Sequence, residues 1–114
     1  MERDLEIFPD DENGDALWRM HQNGDNLSKR RTVDFAVIFP TKAGALQFAV
    51  HLLENGQKVS FSACEGDDEQ PWQVEAHSMM MPTHEEITRY EAQLGADGTR
   101  FGGRNDGWGS LSQD

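Results

Sequence analysis

The sequence predicts an α+β fold, an antiparallel sheet with helices on one face and a further helix ahead of it. Three observations carry the expectation. The stretch Thr32 to Phe39, TVDFAVIF, places Val33, Phe35, Val37 and Phe39 at every second position, so a strand there sends its bulkiest groups to one side. Segments with helical spacing flank it. Two further alternating runs, beginning at Lys58 and Trp72, are separated by EGDDEQP, whose acid, Gly and Pro content suits an exposed hairpin connection.

In chain order, the opening MERDLEIFPDDENGD reads as a short extended lead into a helix from about Asn13 to Asn23. Asp10, Asp11 and Glu12 sit where carboxylates cap exposed amides and oppose the positive end of the helix dipole. Leu17, Met20 and His21, with Trp18 beside them, give this helix its apolar stripe, Gly14 weakens its start, and Gly24 stops it. Pro40 ends the first strand and Thr41 caps a second helix, Lys42 to Asn55, in which Ala45, Phe48, Ala49, Leu52 and Leu53 share a broad inward face. Asn55-Gly56 closes it. The second strand, Lys58 to Cys64, alternates Val59, Phe61 and Ala63 against Ser60, Ser62 and Cys64.

The third strand runs from Trp72 to Met79, with Trp72, Val74 and Ala76 inward and Gln73, Glu75, His77 and Met79 outward. Pro82 and Thr83 open a third helix in which Thr83 and Glu86 have the spacing of a reciprocal capping box. Ile87, Tyr90 and Leu94 form its buried stripe, and Gly95 or Gly98 ends it. A Gly-rich segment from Thr99 to Gly109 supplies a short last strand. Strand, helix, strand, strand, helix, strand with right-handed crossovers gives a ferredoxin-like sheet in which the first and third strands are central. Residues 1–109 read as one domain and 110–114 as a polar tail.

The balance of 10 Lys plus Arg against 21 Asp plus Glu gives a net charge of -11. Phosphate neutralisation needs surplus cations, and the sole local patch, Lys29-Arg30-Arg31, is short and flanked by acid, so direct nucleic-acid binding is not expected. The expected open sheet face carries Asp34, Ala36, Ile38, Gln73, Glu75 and His77 in place of the aromatics that stack RNA bases. Ile38 and Met79 make its apolar part, a surface through which two copies can pair. An acidic field suits a basic protein partner. No apolar run approaches the roughly 20 residues of a membrane span. The N-terminus lacks an export-signal layout, and the lone Cys64 agrees with a reducing compartment, so the expected location is cytoplasmic.

Catalytic and cofactor signals are weak. His77, His84, Glu85 and Glu86 cluster in sequence without zinc spacing, so no metal ligand and no cofactor are assigned. Glu65, Asp67 and Asp68 would raise the Cys64 thiol pKa, which argues against a cysteine nucleophile. GGRNDGWG is not a phosphate loop. A cleft between the sheet and this Gly-rich end, with His77 and Asp106, is the place for a small ligand or an enzyme site if there is one.

Asn105-Asp106-Gly107-Trp108-Gly109, the preceding Gly102-Gly103, Pro82-Thr83 with Ile87 and Leu94, Asn13-Gly14-Asp15 and Arg31-x-Val33-x-Phe35 occur together in order. Over residues 8–109 this arrangement resembles the regulator of ribonuclease E activity B family. Asn105 stands where many members carry an aromatic. The resemblance implies a ferredoxin-like domain and an acidic, non-catalytic protein that binds ribonuclease E and inhibits RNA cleavage. Asp67, Asp68 and Glu69 are then the expected acidic contacts, joined by Asp106 and Trp108. Asp106 and Gly107 read as a turn that holds Trp108 in one place, either closing the core or facing a partner.

Overall fold

Val33, Phe35, Val37 and Phe39 are all buried along β1 (Arg31–Phe39), the strand on which the molecule is assembled. The structure is a computed structural model and describes residues 3–63 and 71–110. Ahead of β1 stands α1 (Glu12–Gln22), and after it come α2 (Lys42–Glu54), β2 (Lys58–Ala63), β3 (Trp72–Met80), α3 (His84–Arg100) and β4 (Arg104–Gly109). The sheet order is β2-β3-β1-β4 and every neighbouring pair is antiparallel, as the ferredoxin-like order requires. The core lies between one sheet face and the helices. Phe48, Ala45, Ala49 and Leu52 of α2 and Ile87 and Leu94 of α3 meet the inward side chains of β1 and Val74 and Ala76 of β3 there.

Leu53 does not join this face: it is 56% exposed, with Leu46 and Val50 on the outer side of α2. One residue past Leu52 is a rotation of about 100°, enough to carry Leu53 out of the contact. The caps form largely as the residue types dictate. Asp11 and Thr41 accept the amides of Gly14 and Gly44 at 2.7 and 3.1 Å, and Gly24 and Gly56 take positive φ after their helices. The box at Thr83 is half built. Its hydroxyl accepts the Glu86 amide at 3.2 Å, whereas its own amide donates to the Met81 carbonyl and the Glu86 carboxylate pairs with Arg89 at 2.8 Å.

α3 runs through both glycines expected to end it. A Cβ on Gly95 would lie 2.6 Å from Asn105 Nδ2, and one on Gly98 3.0 Å from Val37 Cγ1, so these positions permit close approach to β4 and β1 rather than stopping the helix. The stop comes at Phe101, followed by Gly102 at φ +89°. Asp106 and Gly107 make no turn either. They form a bulge within β4: Val37 faces Asn105 and Phe35 faces Trp108, leaving two β4 residues opposite Ala36, with Gly107 at φ +98°. The extra residue brings Asn105 and Trp108 to the same, helix-covered side.

Two expectations about surfaces also change. Ile38 is only 2% exposed, flanked mid-sheet by its partners Gln73 and Arg104, so of the two expected apolar residues Met79 is the one exposed there. Arg31 is buried and paired with the equally buried Asp25 at 2.8 Å, and its guanidinium also donates to the Asn26 carbonyl. The basic patch is thereby reduced to Lys29 and Arg30.

Candidate functional site

Asp67, Asp68 and Glu69 lie outside the described residues. Asp106 is exposed on the β4 bulge. Trp108 is half-buried against the core, and its indole N–H donates to Asn13 Oδ1 at 2.9 Å. Asn13 in turn donates to Thr88 Oγ1 and Glu91 Oε1, so one amide side chain links α1, α3 and β4.

The open sheet face gathers residues far apart in sequence. Register places Asp34 opposite His77, and Asp34 Oδ1 lies 2.6 Å from His77 Nδ1. On the other side of the ring, Ser60 Oγ lies 2.7 Å from Nε2. A carboxylate only accepts, so Nδ1 carries a proton, and in the neutral ring Nε2 accepts from the Ser60 hydroxyl. This is the hydrogen-bond order of a serine-hydrolase triad. A triad also needs donors for the developing oxyanion, and strand amides point within the sheet plane, not out of the face on which Ser60 stands. The chain of bonds ties β1, β2 and β3 together across the open face.

Beside this chain, Asp34, Ala36, Gln73, Glu75, Asp106 and Gly107 line a shallow depression between the sheet and the Gly-rich end. Asp106 lines it, whereas His77 reaches it only through Asp34, which lines the depression and pairs with His77. Asp34, Glu75 and His77 each read from sequence as an outward strand position, and only register brings them together.

A larger cleft, about 990 Å³, opens at the other side of the molecule, between the N-terminal segment, α1 and the start of α3. Phe8, Leu17, Trp18, Leu27 and Pro82 supply its apolar wall, where Phe8 and Trp18 meet at 5.2 Å and Trp18 stacks on His21 at 5.6 Å. Asp4, Glu6 and Glu85 form an exposed acidic rim, and among the described residues no lysine or arginine lines it. Nearby, Asp11 pairs with His84 at 2.8 Å; the Gly14 amide first, and the His84 side chain second, hold its carboxyl below the usual value of 3.8. On the opposite flank of α3, burial raises the Tyr90 hydroxyl, which donates to Gln57.

The sequence pattern of one protein family, regulator of ribonuclease activity B, matches residues 10–110. The chain belongs to that family. Comparison with curated proteins gives no significant match. Within this regulator of ribonuclease activity B domain, the separated stretches Asn13-Gly14-Asp15 and Asp106-Gly107-Trp108 meet through the Asn13 to Trp108 bond. Asn105 is also accounted for: its side chain donates to the Glu91 carbonyl at 3.0 Å and lies over Gly95, where an aromatic ring would need other space. Among the described residues, no helix is long and apolar enough to cross a membrane.

Proposed function

We propose that this chain is a non-catalytic regulator that binds ribonuclease E, or a related RNA-processing enzyme, through acidic surface and so modulates RNA decay. The family match over residues 10–110 carries the reading. Support for the mode of binding comes from the cleft beside α1, whose apolar wall and exposed carboxylates of Asp4, Glu6 and Glu85 complement a basic segment of the enzyme anchored by an aromatic or aliphatic side chain. Asp67, Asp68, Glu69 and Asp106 extend the acidic contact, and Trp108 adds the uncovered part of its ring. The carboxylates of the open sheet face repel phosphate, which favours a protein partner over RNA.

Calorimetric titration into purified ribonuclease E tests this. Micromolar or tighter binding that weakens steeply between low and moderate salt is expected, together with slower RNA cleavage. Charge reversal at Glu6 and Glu85 together should weaken binding by about tenfold or more. Absence of a complex, or binding indifferent to salt, would overturn the reading.

A further inference from the structure

We propose that Asp34, Glu75 and His77 form a divalent-metal site on the open face of the sheet, suited to zinc or manganese. The site is independent of the regulator reading. Glu75 and His77 are two residues apart on β3 and so project to one face, and Asp34 faces His77 from β1. One ligand atom from each lies within 4.8 Å of the other two. Metal bonds of about 2.0–2.2 Å bring such atoms to roughly 3–4 Å from one another, a closure within reach of small side-chain rotations.

The chemistry of the three donors fits the same ion. One imidazole nitrogen and two carboxylates are a borderline set that suits zinc or manganese better than the all-oxygen shells of magnesium or calcium. Two carboxylates beside a neutral imidazole carry a charge that a divalent cation balances. Among the described residues no lysine or arginine forms an ion pair with either acid, although Lys58 stands across the strand from His77. When a metal takes Nδ1, the ring proton moves to Nε2, and the Ser60 hydroxyl, donor or acceptor as required, accepts it at the same place. Gln73 Nε2 donates to Glu75 Oε1 at 2.8 Å and orients the second carboxylate. Both are the outer-shell contacts that aim metal ligands.

The three donors hold one side of an ion and leave its other positions to the adjoining depression. Asp106 lines that depression, and so does Ser110, whose hydroxyl oxygen is buried without a hydrogen-bond partner among the described residues. Water or a partner's donor can complete the shell there.

The test is calorimetric titration of the untagged full chain with zinc chloride, manganese chloride and magnesium chloride, repeated for H77A, E75Q, D34N and H84A. Saturable one-to-one binding of zinc or manganese with Kd below about 100 μM is expected, weakened at least tenfold in each of H77A, E75Q and D34N and unchanged in H84A. Circular dichroism with a thermal midpoint checks that each variant keeps the fold. A perturbed His77 ring resonance in the zinc titration locates the ion independently of the variants. Failure of zinc and manganese to saturate, binding retained in H77A and E75Q, or binding lost in H84A alone would each overturn the proposal.

Discussion

Gly14 and Asp11 show how single residues anchor α1. Glycine inside a helix costs about 1 kcal/mol relative to alanine, so propensity alone predicts that G14A strengthens α1. In the folded chain a Cβ at this position would fall on the Pro9 carbonyl. G14A should therefore lower the thermal midpoint and loosen the N-terminal segment, read by calorimetry and by hydrogen exchange in residues 8–22; an unchanged or raised midpoint would refute the packing account. Asp11 acts through charge. Its folded-state pKa lies below 3.8, so ionised Asp11 contributes stability above that value and loses it as pH falls through the lower folded value. The stability difference between the wild type and D11A, measured by urea unfolding, should be full near about pH 6 and shrink progressively below 3.8. A difference that grows on acidification would contradict the capping and His84 contacts.

At the scale of elements, the β4 bulge decides which way Trp108 points. Gly107 has φ +98°, a conformation that disfavours any Cβ by about 1–2 kcal/mol. G107A is expected to lose about that much stability and to shift Trp108 fluorescence, because removing the bulge would move Trp108 away from Asn13. Loss of stability with an unaltered tryptophan signal would leave the strain but reject the link. Much at this scale was legible beforehand. The alternation of β1, the caps at Asp11, Thr41 and Asn55-Gly56, and the hairpin order of β2 and β3 depend on neighbours within a few residues. The run of α3 through Gly95 and Gly98 was not legible, since glycine reads locally as a stop and its use here comes from Asn105 and Val37 pressing against it.

For the whole molecule, distribution matters more than net charge. Acidic groups occur at the rim of the α1 cleft, whose wall is apolar, and on the open sheet face, where Asp34 and Glu75 meet His77. The first is the proposed seat of a basic protein segment and the second that of a divalent ion, although composition registers both only as an excess of acid. By itself the sequence determined the α+β class, the element order, the inward side of β1 and the family, because periodicity, capping chemistry and motif order are short-range properties of the chain. Tertiary structure alone decided the bulge at Gly107, the burial of Arg31 with Asp25, the tie from Asn13 to Trp108 and the meeting of Asp34, Ser60, Glu75 and His77. Those depend on strand register and on packing between distant segments, which shift whole sets of side chains relative to one another and leave no signal in any local stretch of sequence.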